Sequence, residues 1–413
     1  MKKLFLFAVA AVALTAACSK QAPDVASNVS RGSDFELEPL VPVQFASNLA
    51  HVATKSIGAL DYWSAEDLYF YGIERFKDQS GRDSLDLDNL FIANVKETAP
   101  NTTDPLHPVT VGTITLNRAL PGGGSEPYYY GNGNYEFFGY FVDDAAGTDP
   151  TPTIDFSDST IILPVKIDGT QDLMVGYADR DSVIKYEYAR ISELPMYTDT
   201  EGPSEDAVKS RLFSAYAIRK WTVQPKMYFH HKLTRFDFYV QSGESDAAGV
   251  IKVAGISVNS NTEADMVVAG QHIYDGLRNI AAPEDLVLNV KAPDGSLTPL
   301  VPLTVDNEIP APAYDAANPV RTKIDGSLLV MPGQSIYDLT LSLHQDGAQE
   351  PSSRPEKTQI NFAKLLGGTH TQAMPGYKYN ITIVVYKFRE VEITVSIDEW
   401  KEGGDIVLDP DAE

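Results

Sequence analysis

Tyr377-Lys378-Tyr379-Asn380-Ile381-Thr382-Ile383-Val384-Val385-Tyr386, followed after a short Lys387-Phe388-Arg389-Glu390 break by Val391-Glu392-Ile393-Thr394-Val395-Ser396-Ile397-Asp398, decides the fold class. In the second run Val391, Ile393, Val395 and Ile397 alternate strictly with polar residues, so an extended chain there puts one face on a core and one in water. In the first run Tyr379, Ile381, Ile383 and Val385 share one side, with Asn380 and Thr382 on the other. Two such runs across a short polar break predict a β-hairpin. Pro375-Gly376 turns the chain into it, Trp400 and Gly403-Gly404 close it, and Ile406-Val407-Leu408 is a last short apolar piece. A chain that finishes in strands needs earlier strands to pair with, so the fold class is all-β.

The start of the chain belongs to export. Lys2 and Lys3 precede an apolar run from Leu4 to Leu14, and Leu14-Thr15-Ala16-Ala17 leads to Cys18. That run is too short to span a bilayer as a mature helix and reads as a signal peptide over residues 1–17. Small residues before a cysteine mark a lipoprotein cleavage site, with Cys18 taking the lipid (palmitate among its acyl chains). Cys18 is the chain's single cysteine, so a disulfide is ruled out and lipid attachment is the remaining use for the thiol. The acyl chains would tie the protein to a membrane. Ser19 stands where an aspartate would retain a lipoprotein in the inner membrane, which favours the outer one.

The net charge of −24 becomes more negative once the leader and its two lysines are gone. Such a surface repels phosphate backbones, which excludes nucleic-acid partners, and it keeps a protein displayed at high density soluble. Of the 413 residues, 18–35 are polar and form a tether; the rest suits two domains, 36–225 and 226–413, with the boundary near Gln224-Pro225.

Glu36 to Ala46 is a strand-like apolar segment interrupted by Pro39 and Pro42, which places it at a sheet edge or in loose pairing. Further strands are expected at Leu87–Val95, Val109–Leu116, Tyr135–Val142, Thr160–Ile167 and Leu173–Gly176. Gly- and Pro-rich turns separate them, which is a sandwich pattern. Ser204 caps an expected helix from Glu205 to about Trp221, with Val208, Leu212, Ala215 and Ile218 on one face. A long aromatic strand spans Tyr228 to Val240. Later strands are expected at Gly249–Val258, Asp285–Val290, Leu300–Val305, Ser327–Met331 and Tyr337–His344.

No nucleophile elbow, zinc-protease helix, phosphate loop or dinucleotide fingerprint occurs. His230 and His231 are adjacent, and on a strand their rings point to opposite faces, so they do not share a metal. Asp83, Asp86, Asp88 and Asn89 lack the turning glycine of a calcium loop. The reading is of a non-enzymatic protein without catalytic residues, metal or cofactor.

The leader ending at Cys18, the Trp63 and Asp67-Leu68 entry, Gly169-Thr170-Gln171-Asp172-Leu173-Met174, Phe229-His230-His231-Lys232-Leu233, and the closing Gly376-Tyr377-Lys378-Tyr379 with Ile397-Asp398-Glu399-Trp400 together resemble the fimbrillin (Mfa-like) family. Its members are lipoprotein-derived pilins of anaerobic gut and oral bacteria. The resemblance spans essentially the whole chain. It implies two transthyretin-like β-sandwich domains in tandem, export as an outer-membrane lipoprotein, and proteolytic removal of an N-terminal segment. It also implies assembly with other fimbrial subunits at the cell surface, one subunit's strand filling the groove left in another, and adhesion to a host or bacterial surface ligand. The family's protease is arginine-specific, whereas the basic residue just past Glu36–Ala46 is Lys55; Arg31 lies before it. Ile406, Val407 and Leu408 form the candidate donor strand. The alternative is a lipid-anchored surface protein that binds carbohydrate or protein and does not polymerise.

Overall fold

The computed structural model describes residues 44–47, 67–77, 83–88, 90–98, 112–115, 134–143, 150–197, 202–278, 281–291, 297–301, 308–345, 355–366, 370–387 and 390–399. All of them belong to one compact unit, Val41–Glu413.

The first half supplies β1 (Gln44–Ser47), β2 (Asp67–Lys77), β3 (Asp83–Leu85), β4 (Ile92–Thr98) and β5 (Gly112–Thr115). It continues through β6 (Tyr135–Val142), β7 (Thr153–Asp155), β8 (Thr160–Lys166) and β9 (Leu173–Ala178) to helices α1 (Arg180–Ser192) and α2 (Glu205–Lys209). Next come β10 (Lys226–His231), β11 (Thr234–Ser242), β12 (Ile251–Asn261), β13 (Glu263–Gly270), β14 (Pro283–Val287), β15 (Asn289–Lys291) and β16 (Leu297–Pro299). The chain ends through β17 (Ile309–Pro310), β18 (Arg321–Val330), β19 (Ile336–Gln345), β20 (Pro355–Asn361), the short helix α3 (Phe362–Leu365), β21 (Tyr377–Lys387) and β22 (Glu390–Glu399). The protein is all-β.

The first sheet runs β3-β2-β6-β9-β10-β1-β5, with β4 also on β2. Alternation along its strands sends side chains to two separate cores. Tyr69, Tyr71, Phe138, Tyr140 and Val175 join Ile161, Leu163 and Val165 of β8 and Met266 and Val268 of β13. Leu68, Phe70, Phe137, Phe141, Met174 and Phe229 instead join Val183, Ile184 and Ile191 of α1 with Leu212, Phe213 and Trp221. The sheet is thus covered on one side by β13-β8-β7 and on the other by helical turns. Trp221 is buried, and its indole N–H donates to the Tyr197 hydroxyl at 3.0 Å, as a buried tryptophan requires.

Two further sheets, β18-β11-β21-β22 and β14-β12-β19-β20, carry the C-terminal core. Phe236, Phe238, Val240, Ile256, Val258, Leu339, Leu341, Tyr379, Ile381 and Ile383 are almost fully buried there. The closing hairpin forms as expected, with Ile381 opposite Val395 and Ile383 opposite Ile393. β21 lies between β11 and β22, so it buries Asn380 and Thr382 as well as its apolar face. β22 is a sheet edge whose outward Glu392, Thr394 and Ser396 are exposed.

Several expectations change. The long strand Tyr228–Val240 is two strands in different sheets, because Lys232 turns inward between them. Its ammonium donates to the carbonyls of Ile273 and Asp275, each at 3.2 Å, and β11 then starts a new sheet at Thr234. The helix begun at Ser204 is capped as expected, Ser204 Oγ accepting from the Ala207 N–H, but α2 stops at Lys209. The hydroxyls of Ser210 and Ser214 donate to the carbonyls of Ala207 and Arg211 and compete with helix continuation. A separate π-turn covers Ala217–Trp221. Helix α1 was not foreseen; Asp179 caps it by accepting from the Asp181 N–H. Just after Gln224-Pro225, β10 pairs with β9, and β8 pairs with β13.

Candidate functional site

The segment Glu36–Ala46 contributes Gln44, Phe45 and Ala46 to β1, and this strand is not at an edge. It pairs in parallel with β10, Ala46 opposite Lys226 and Ser47 opposite Met227. It also pairs antiparallel with β5, from Gln44 opposite Thr115 to Ser47 opposite Gly112. The described ladder runs from Gln44 to Ser47. Of the two expected settings, a sheet edge or loose pairing, the edge is corrected: a short N-terminal strand occupies an interior place in the first sheet, joined to β10 at two paired positions. Local patterning carries no sign of this, since the partners lie far along the chain.

β10 is the wall of that place. Met227 and His231 are fully buried and Phe229 nearly so. Gly139 of β6 and Gly176 of β9 stand opposite each other, and a Cβ on either would meet the Phe229 ring at about 3 Å. The two glycines let the ring lie flat over both strands, and Phe70 meets it edge-on at 6.4 Å.

Beside the ring, the His231 Nδ1 lies 2.9 Å from a carboxylate oxygen of Asp172, with both side chains out of solvent. His230 points the other way and stacks on Tyr177 at 5.1 Å. The two histidines sit on opposite faces, as the strand period requires. The buried Asp172–His231 pair ties β10 to the turn before β9. On β11, Asp237 is held by Arg235 at 2.8 Å, the Ser327 hydroxyl at 2.6 Å and Lys323 at 3.2 Å. Burial pushes its carboxyl up, but Arg235, Ser327 and Lys323 outweigh that and hold it below the ordinary carboxylate range. Among the described residues no group of three or more His, Cys, Asp or Glu is placed to hold a metal ion.

Cys18, Arg31, Lys55, Ile406, Val407 and Leu408 lie outside the described residues.

No family model and no curated protein matches the chain. Solved structures similar to it include a candidate cell adhesion protein from Bacteroides uniformis, 16% identical over 89% of this chain and 100% of that one, TM-score 0.44. A candidate adhesin from Bacteroides thetaiotaomicron is 10% identical over 88% of this chain, with a TM-score of 0.34 and 98% of that chain covered. The fimbrial anchor protein Mfa2 from Porphyromonas gingivalis is 11% identical over 88% of this chain and 98% of its own, TM-score 0.30.

Proposed function

We propose that this chain is a fimbrial subunit, structural or adhesive, exported as a lipoprotein on Cys18 and assembled at the cell surface by strand exchange once its N-terminal strand has been cut away. The observation that carries the reading is the place of β1 between β10 and β5. A strand held by two ladders and followed in sequence by Lys55 is removable in one cut, whereas a cut at Arg31 leaves it seated. Its loss opens the far edge of β10 and the near edge of β5, a slot one strand wide. Open edges of this kind recruit a strand from another chain. Ile406-Val407-Leu408 is the donor in this reading, and other subunits of the same fimbrium are the partners.

A second reading is a lipid-anchored surface protein that binds carbohydrate or protein and never polymerises. The intact pairing of β1 on both sides favours it, because an uncut chain has that slot filled.

A single specific protease site in place of Lys55 separates the two. Cutting the purified precursor there should produce a ladder of bands on an unheated denaturing gel, and deleting residues 405–413 should stop the chain from donating. A precursor that stays monomeric after the cut, alone and mixed with its partner subunits, supports the anchored binder. Cys18→Ala should abolish labelling of cells by a radioactive fatty acid in the protein's band; retained label refutes the lipoprotein route.

A further inference from the structure

β13 ends at Gly270, whose φ is +96° and whose Cβ, were there one, would lie 2.3 Å from the Ser159 carbonyl oxygen. Only glycine turns the chain there. The loop 271–278 that follows is tied down from several sides. The Gln271 N–H donates to the Ser159 carbonyl at 2.9 Å, and the Asp275 N–H to that of His272 at 2.9 Å. Arg278 spans Asp158 and Asp275, and the His272 ring lies 3.2 Å from Asp275. From beneath, the ammonium of nearly buried Lys232 donates to the carbonyls of Ile273 and Asp275. A buried lysine is costly and is kept only where such partners are fixed.

What this loop holds up is Tyr274, 69% exposed, the most exposed of the large apolar and aromatic side chains described. It is exposed yet positioned: its ring lies 4.6 Å from Tyr177 at 71°, and Tyr177 is stacked in turn on His230. Beneath the ring opens a groove of about 490 Å³ between the loop, β6 and the start of α1. That volume is within the range of small-molecule sites. A second depression, of about 360 Å³, shares Arg75, Arg180 and Lys209 with it.

The charges in the groove are matched. Arg75 pairs with Glu136, and Lys209 with Asp181. Arg180 donates to the Tyr135 carbonyl at 2.6 Å and to the Asn134 side chain at 3.1 Å. Desolvation and then the carboxylates of Asp179 and Glu136 push the Tyr274 phenol above its ordinary range. Three basic and three acidic side chains give the groove no field that selects an ion, and the chain's overall negative charge disfavours anions. What the groove does present is one broad aromatic face beside fixed donors and acceptors. A ring with an apolar C–H face and several hydroxyls fits that combination. Each hydroxyl both donates and accepts, so it can bridge the N–H of Arg75 and the carboxylate of Glu136 together. An apolar ligand would desolvate these ion pairs without offering them a hydrogen bond in return.

We propose that this groove binds a neutral hexopyranose unit of a glycan, its C–H face on Tyr274 and its hydroxyls on Arg75, Glu136 and Arg180. The site goes beyond the assembly reading and does not depend on it.

The test is saturation-transfer NMR on the purified chain lacking only its leader. The probes are the methyl glycosides of glucose, galactose, mannose and N-acetylglucosamine, with N-acetylneuraminic acid as the anionic arm. At least one neutral glycoside should receive saturation at millimolar concentration, most strongly at the C–H protons of one ring face. Tyr274→Ala should weaken binding about tenfold or more, while Tyr274→Phe and Tyr274→Trp stay within about threefold of the parent. Glu136→Gln should weaken binding while its own melting curve still shows a folded protein at the temperature of the assay. Transfer to no neutral glycoside overturns the proposal. Transfer to N-acetylneuraminic acid alone overturns the assignment to a neutral ring, and binding unchanged in Tyr274→Ala places it elsewhere and overturns the site.

Discussion

Ala46 lies beside Lys226 in a parallel pairing, the one parallel contact in a sheet whose other described neighbours are antiparallel. Two paired positions join β1 to β10, whereas five join β10 to β9. Removing everything through residue 47 should therefore leave β10 seated and open to water on one side. Hydrogen exchange should rise about tenfold or more at those β10 amides that face β1, with β12 and β19 unchanged. Equal protection before and after removal would show that the strand contributes nothing to the sheet.

Phe229 lies across Gly139 and Gly176, so its loss leaves a void over two strands that have no side chain to fill it. Phe229→Ala should cost about 3–5 kcal/mol in urea unfolding. Gly176→Ala should cost about 1–3 kcal/mol, since the new Cβ meets a ring that Phe70 prevents from shifting freely. A neutral Gly176→Ala would mean that the ring is free to slide.

Asp237 supplies a pH dependence. Its folded carboxyl titrates below the ordinary value near 3.9, so the stability that it contributes is complete above that value. That contribution is lost as pH falls through the lower, folded value. Asp237→Asn should cost about 3 kcal/mol at pH 7, because Arg235 and Lys323 lose their counter-charge. It should also flatten the parent's loss of stability between pH 5 and the acid limit, read from melting temperatures; an unchanged slope refutes this role.

Lys232→Met keeps the stem and removes the ammonium that holds Ile273 and Asp275. Exchange across 271–278 should accelerate and stability fall by about 1–3 kcal/mol. Protection of that loop equal to the parent's would mean that Arg278 and His272 suffice to hold it.

The hairpin β21–β22 was legible because alternation along Val391 to Asp398 is strict, and β6 coincides with its expected span, Tyr135–Val142. Aromatic and β-branched runs bounded by glycine and proline mark strands through local chemistry alone. The break at Lys232 was hidden because Tyr228 to Val240 interleaves aromatic and apolar residues with His230, His231, Lys232, Thr234, Arg235 and Asp237, whose burial depends on partners from other segments. Helix α1 carries Ile184, Tyr188 and Ile191 at helical spacing behind the Asp179 cap, a signal that was present and overlooked. The interior place of β1 and the Tyr274 groove were not readable at all. Residues 75, 136, 180 and 274 meet only because sheets and loops from distant parts of the chain converge, and no local period encodes that convergence.

The side-by-side run of β11 with β21 has a kinetic meaning. Arg235 finds Lys378, and Ser242 finds Val385, only after the whole intervening chain has been made, and Thr234 donates to Met374 across the same gap. Contacts so remote in sequence pay their loop-closure entropy before they gain anything, which slows folding. The central pair of the C-terminal core thus cannot assemble on a growing chain until its last hairpin has emerged. A nascent chain arrested before residue 377 should be cut rapidly by protease throughout residues 234–345, and release of the final segment should convert it to the resistant form in a single slow step.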